Sequence, residues 1–232
     1  MYLYSQIQRE PLLHLCVTEP LRRGTADVLR QSPRGLLALD RPSGLYLLTA
    51  DGMESAAELL EGVEDVGFIM LLNAQFEPLI ERFHLKDRMR CHQAGLLRGT
   101  PPPPDPRLRI EAPDGLAFAR ILQSYHMDTP EELRRRRDAG DLFFARDAQG
   151  NDVGFVGLHP EGCFGMLEVF PEQRGKGYGA ALDSHILRFC LENGRVPYCQ
   201  VEVENAVSLN LQRKLGLEIS PETSLFAWNC KD

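Results

Sequence analysis

Residues 99–106, G-T-P-P-P-P-D-P, divide this chain. Proline fixes φ and has no backbone N–H to donate, so such a run continues neither a helix nor the middle of a sheet. It favours a stiff, extended stretch instead. A ligand for a proline-binding module is the alternative use of such a run, but two independently patterned halves flank it, which favours a linker. The expected organisation of the 232 residues is an N-terminal α/β unit over 1–98, the linker over 99–106 and a second unit over 107–232.

In the first half, residues 10–30 carry apolar positions at mixed helical spacing and predict two short helices. Residues 35–40 and 45–50 read as strands joined by R-P-S-G turn chemistry. A helix over 55–60, a buried strand over 66–72, a helix over 74–83 and a further strand over 88–97 follow. Alternating strands and helices imply a small α/β layer. No catalytic motif stands here, and His14, His84 and His92 read as structural or solvated.

The second half opens with a strand over 107–112. Asp114 caps a helix over 116–124, and T-P-E-E at 129–132 is a capping box with Pro at the first helical position. That second helix ends in four arginines, 134–137, which read as cations suited to the helix C-terminus in preference to an RNA contact. Strands over 141–147 and 152–159 form a hairpin, and 163–170 is the next strand. A helix covers 180–191 and a strand 197–204. Asn205 then caps a helix reaching Leu215, and closing strands cover 217–219 and 224–229.

Within this half, residues 166–179 read M-L-E-V-F-P-E-Q-R-G-K-G-Y-G: a strand, a basic glycine-rich turn and a helix start in succession. A helix N-terminus has unpaired N–H groups and partial positive charge, so it can hold a phosphate. Gly175, Gly177 and Gly179 allow turn geometry and leave room, while Arg174 and Lys176 add charge. The dinucleotide fingerprint G-x-G-x-x-A is formally present at Gly175, Gly177 and Ala180, but the turn is lengthened by residues 171–174 and antiparallel hairpins precede it. No Walker-type loop is present.

Arg174-x-x-Gly177-x-Gly179, preceded by Leu167, Val169 and Pro171, and followed by a strand, Asn205 and a helix ending Lys214-Leu215-Gly216, resembles the GNAT acyltransferase superfamily. The stretch R-V-P-Y-C-Q-V-E-V-E-N-A-V-S-L looks like its glycine N-acyltransferase-like branch. The resemblance covers residues 107–229 and implies an α+β fold with a mixed, mostly antiparallel sheet flanked by helices. It implies an acyl-CoA co-substrate, acetyl-CoA or another, held by Leu167, Glu168, Val169, Arg174, Gly175, Lys176, Gly177, Tyr178, Gly179, Ala180, Asn205, Ser208 and Gln212. The amides near 167–169 would take the pantetheine arm and those of 175–180 the pyrophosphate.

The implied reaction is direct attack of a small-molecule amine or amino acid on the thioester in a ternary complex. An amine of pKa ~8 to ~10 is mostly protonated at neutral pH and needs a base, whereas a thiol of pKa ~8.5 leaves readily. Where many members have a Tyr general acid this chain has Gln212, and where many have a catalytic Glu it has Cys163. On a strand, Glu161 and Cys163 share a face and Glu168 points to the other. Glu161, with His159 beside it, is the preferred base, and Cys163 and Glu168 complete the catalytic candidates. Tyr125 and His126 either shape the acceptor site or are ordinary loop residues. The departures at Gln212 and Cys163 motivate an alternative, a catalytically silent CoA-binding sensor.

The net charge of −7 argues against a general nucleic-acid partner. Six cysteines without a C-x-x-C pair or zinc spacing read as free thiols, with no metal. No signal-peptide layout opens the sequence and no apolar run reaches the ~20 residues of a membrane span. The expectation is a soluble cytoplasmic protein without a membrane partner, its oligomeric state open.

Overall fold

A computed structural model describes residues 5–229; Cys230 lies outside them. These residues form two compact units. One holds 5–97 with 198–213 and 217–229, the other 98–197 with 214–216.

The first unit begins with α1 (Gln6–Arg9) and α2 (Leu15–Arg23), then β1 (Ala26–Ser32), β2 (Gly35–Asp40), β3 (Leu45–Ala50), α3 (Met53–Leu60) and β4 (Phe68–Leu71). A 3-10 helix, Ala74–Phe83, and β5 (Asp87–Gly95) follow. The helix expected to run to Arg30 stops early. Gly24, in the left-handed region at φ 72°, closes α2, and Ala26–Ser32 pairs with β2 as an edge strand. Its polar, half-exposed residues hide the strand pattern, because only one face of an edge strand needs apolar side chains. Leu37, Leu48, Ile69, Leu71, Phe76 and Ile80 form the core between the sheet and its helices.

The second unit contains β6 (Leu108–Glu111), α4 (Gly115–Ser124), α5 (Pro130–Asp138), β7 (Leu142–Asp147), β8 (Asp152–Gly157), β9 (Glu168–Val169), a 3-10 turn at Pro171–Gln173 and α6 (Tyr178–Glu192). Its sheet runs β6-β7-β8-β9, antiparallel throughout. Strand alternation decides what covers each face. Leu142 and Phe144 pack with Phe118, Ile121 and Leu133 of α4 and α5. Phe143 points the other way, where its ring meets His185 and Phe189 of α6 at 4.8 Å each. Asp114 and Thr129 cap α4 and α5 by accepting from Ala117 and Glu132 amides at 2.8 and 3.2 Å. Arg135 and Arg136 at the end of α5 are ion-paired within it, to Glu131 at 2.6 Å and to Glu132 at 2.8 Å.

The chain then supplies β10 (Tyr198–Glu202), α7 (Ala206–Lys214) and β11 (Glu218–Trp228). Both strands join the first unit's sheet, whose order is β1-β2-β3-β4-β11-β5-β10. β10 pairs with β5 antiparallel, Gln200 opposite Gln93, and β11 lies between β4 and β5. The two closing strands expected over 217–219 and 224–229 are one strand whose register with β5 shifts between Ile219 and Thr223. All fold in a mixed α/β pattern dominated by antiparallel pairing, with β3 and β4 the parallel neighbours.

Candidate functional site

The strand expected over 163–170 is reduced to Glu168–Val169. Residues 159–163 make a tight turn instead: the Cys163 carbonyl accepts the His159 N–H at 2.8 Å, and the His159 carbonyl accepts that of Gly162 at 2.8 Å. Gly162 sits at φ 91°, where only glycine is comfortable. The Leu167 N–H donates to the Gly165 carbonyl at 2.7 Å, so it is spent within the chain and corrects the expectation of free amides from 167 onward. Glu168 and Val169 pair with Phe155 and Gly154 of β8 so closely that a Cβ at Gly154 would lie 2.1 Å from the Glu168 carbonyl oxygen. The Phe170 N–H donates to Val153 at 3.0 Å. In antiparallel pairing the bonds alternate, so the Val169 N–H points away from β8, off the outer edge of β9.

The turn beyond β9 leads into an uncapped helix start. Gly175 and Gly177 both adopt the left-handed region, at φ 79° and 81°. Gly177 is the residue before α6, and no side chain caps that helix, so its first N–H groups remain available. A Cβ at Gly175 would meet nothing within 4 Å, and one at Gly177 only Nη2 of Arg107 at 4.0 Å. The space over the loop is therefore open. Gly179 lies inside the first turn of α6, so its contribution is smallness and not turn geometry. Tyr178 and Ala180 belong to the same turn of helix.

The loop's cations are partly committed. Arg174 Nε donates to the Val169 carbonyl at 3.0 Å, tying the loop back to the edge of β9. Lys176 Nζ donates to Oε1 of buried Gln173 at 2.7 Å. Arg120 on α4 bridges Asp152 on β8, at 2.9 Å, and Glu172 in the turn, while its guanidinium lies 3.8 Å from the Phe170 ring centroid. It thereby fixes the segment that enters the loop.

The sequence reading missed Arg107. Its Nη1 donates to the Lys176 carbonyl at 3.2 Å, and its guanidinium stands 4.9 Å from the Tyr178 ring centroid. Only the packing of α6 against β6 brings these residues together.

Around the 159–163 turn lies a second cluster. Cys163 and Glu161 are both buried, and the Cys163 thiol donates to Glu161 Oε1 at 3.3 Å. His159 Nδ1 stands 3.7 Å from Asp128 Oδ2. The Tyr125 ring packs edge-on against Phe155 at 5.5 Å. Burial pushes the Tyr125 hydroxyl well above its ordinary pKa, helped by the nearby carboxylates of Asp128, Glu161 and Glu168. Tyr125 is thus a neutral donor at physiological pH, next to carboxylates that can accept a proton. His126 is exposed. Asp128 carried no signal in the sequence beyond its place in the 125–128 loop.

Asn205, Ser208 and Gln212 belong to the other compact unit. There Asn205 Oδ1 accepts the Ser208 N–H at 3.0 Å, and Gln212 is buried. Among the described residues, no group of three or more His, Cys, Asp or Glu side chains could hold a metal ion, and no helix is long and apolar enough to cross a membrane.

Residues 112–217 match the family model of the Acetyltransferase (GNAT) family. No curated protein matches the chain. Among solved structures, a Drosophila protein shares the fold with a TM-score of 0.64 at 14% identity, over 84% of this chain and 74% of its own. A GCN5-related N-acetyltransferase-like protein from Streptococcus suis aligns over 98% of both chains, with a TM-score of 0.53 at 16% identity. A GCN5-related N-acetyltransferase from Kribbella flavida aligns over 100% of this chain and 97% of its own, with a TM-score of 0.53 at 13% identity. The segment 112–217 thus carries the GNAT acetyltransferase pattern, and these proteins share the chain's fold.

Proposed function

We propose that the protein is an acyl-CoA-dependent N-acyltransferase, with acetyl-CoA the simplest donor, acting on a small-molecule amine or amino acid. The observation that carries this reading is the open, uncapped start of α6, framed by left-handed Gly175 and Gly177 inside the segment that matches the family model. A pyrophosphate suits such a site, because unpaired amides and the helix dipole favour an anion.

The residues fit the co-substrate. The amides of Gly175, Lys176, Gly177 and the first turn of α6 would hold the pyrophosphate, and the Val169 N–H at the β9 edge would donate to the pantetheine arm. Bound there, acyl-CoA supplies a thioester, whose thiolate departs without strong acid help because its conjugate acid has a pKa near ~8.5.

Glu161 takes the proton of the attacking amine. The resemblance puts a catalytic Glu in many relatives at the position of Cys163. Here the turn at 159–163 delivers the carboxylate of Glu161 to within 3.3 Å of that residue's sulfur. Positioned proton transfer contributes typically ~10² to ~10⁴ in rate. The Cys163 S–H orients the carboxylate and is not the nucleophile, since a thiol donating to a carboxylate has its proton in place. Tyr125 and His159 with Asp128 line the acceptor side, where the amine is held by hydrogen bonds to these groups. The glycine N-acyltransferase-like stretch at 195–209 puts small amino acids first among acceptors.

The test is release of free CoA thiol by the purified protein, with acetyl-, propionyl- and benzoyl-CoA against a panel of amines and amino acids. Turnover above the amine-free background supports the reading. Tight acyl-CoA binding with no turnover on any acceptor would leave a CoA-binding protein and remove the enzymatic assignment.

A further inference from the structure

The amides at the start of α6 supply hydrogen bonds, a pyrophosphate also attracts countercharge, and the loop's own exposed cations, Arg174 and Lys176, each have a contact within the protein. Arg174 Nε is engaged with the Val169 carbonyl and Lys176 Nζ with Gln173. The cation that reaches the loop from outside is Arg107. Building on the acyl-CoA reading above, we infer that Arg107 is the guanidinium that binds the cofactor's pyrophosphate.

Contacts on both sides hold it in place. Just N-terminal to β6, the Asp105 carbonyl accepts the Leu108 N–H at 3.1 Å, and Asp105 Oδ1 accepts the Arg107 N–H at 3.0 Å, fixing the turn that launches the side chain. The Asp105 carboxylate also accepts from Arg107 Nε at 2.9 Å and Nη2 at 2.6 Å, which aims the fork. Asp105 is held below the usual carboxylate range chiefly by that hydrogen bonding, so it stays ionised and keeps its grip at neutral pH. Further back, the Pro102 carbonyl accepts from Ser184 Oγ at 2.7 Å and from Arg188, so the segment ahead of Arg107 is fastened along α6 itself.

The donor count gives the chemistry. A guanidinium has five N–H groups in a planar fork. Nε and one N–H of Nη2 serve Asp105, and one N–H of Nη1 serves the Lys176 carbonyl. One N–H remains on each terminal nitrogen, the pair that suits two oxygens of a phosphate. Nη2 stands 4.0 Å from where a Gly177 Cβ would be, beside the open space over the loop. The Arg107 side chain is 54% exposed, so a ligand can reach it.

Binding of CoA, 3′-dephospho-CoA and pantetheine to the purified full chain, by calorimetry, tests the inference. Arg107→Gln is expected to weaken CoA and 3′-dephospho-CoA alike by about tenfold, the size of one charge-assisted contact, and to leave pantetheine unchanged. Arg107→Lys, which keeps charge without the fork, is expected to fall between the two. Equal affinity of wild type, Arg107→Gln and Arg107→Lys for CoA would overturn the inference. So would a loss seen with CoA but not with 3′-dephospho-CoA, which would move the contact to the 3′-phosphate. Should Arg107→Gln not fold, Arg107→Lys decides by the same comparison. Wild type that binds no CoA removes the acyl-CoA reading itself, a result seen before any variant is made.

Discussion

The Cys163 thiol donates to Glu161 Oε1 at 3.3 Å, with Gly162 alone between them in a turn closed by the His159 and Cys163 backbone. A buried carboxylate that accepts from a neutral thiol is placed to take the proton of a bound amine. Glu161→Gln is therefore expected to lower kcat by about 10² or more, with the affinity for acetyl-CoA within a factor of two to three of wild type as a rough allowance. Cys163→Ser keeps a donor of similar reach and is expected to retain most of the activity. Steady-state kinetics of both variants decide; a Glu161→Gln enzyme with wild-type kcat removes Glu161 as the base.

At Gly177, φ 81° makes any side chain costly, and ~1 to ~2 kcal/mol is the usual penalty for an L-residue there. Gly177→Glu should lower the melting temperature of the free protein by a few degrees, on the order of 2–4 °C per kcal/mol in a chain of this size. Its carboxylate would sit beside Arg107 and repel phosphate. The thermal stabilisation given by saturating acetyl-CoA in wild type, which grows with ligand concentration, should vanish in the variant. Retained stabilisation would mean that the cofactor lies elsewhere.

Arg120 joins α4 to β8 and to the turn ahead of the loop through Asp152 and Glu172. Arg120→Met would free Glu172 while Asp152 keeps Arg146 at 3.1 Å, so the fold should persist. The looser loop is expected to raise KM for acyl-CoA about three- to tenfold with kcat little changed, the signature of lost uniform binding. Equal falls in kcat and kcat/KM would instead place Arg120 in transition-state stabilisation.

The local parts of this fold were legible because their signals are local. Thr129-Pro-Glu-Glu132 marks its cap, and the β2–β3 hairpin announces itself by the turn at 41–44, with Gly44 at φ 70°. The glycine-rich turn before α6 reads the same way from sequence and structure. What sequence could not supply were pairings between distant residues. Nothing local says that β11 enters between β4 and β5, since a buried strand has the same apolar pattern whichever sheet it completes. Nor does a lone Arg after a proline run indicate that it will stand over Tyr178, seventy-one positions on. The strand read over 163–170 shrinks to Glu168–Val169 although its apolar residues suit a strand, because pairing with β8 beyond the 159–163 turn is limited to a single bridge, Leu158 with Phe164.

His14 offers a pH dependence whose sign is fixed by burial. Its Nδ1 faces the Glu10 carbonyl at 2.8 Å and must carry the hydrogen, leaving Nε2 to accept from Thr49 Oγ1 at 2.9 Å. Burial lowers its pKa below the ordinary value, outweighing the Glu10 carbonyl and charge, which raise it. The neutral ring is therefore favoured in the folded state, and below about pH 6.5 the unfolded chain binds the proton that the folded one refuses. Stability is fully present above that pH and falls as the pH drops through it towards the lower folded value. His185 on α6 acts in the same direction, through burial and then the charge of Arg188. Carboxylates held low by partners, such as Asp114 and Asp147, lose their contributions only below about pH 4, a separate window. The melting temperature should therefore drop between pH 7.5 and 5.5, and His14→Gln should be less stable at pH 7.5 but show a shallower drop. An equal slope in wild type and variant would show that His14 titrates alike in both states.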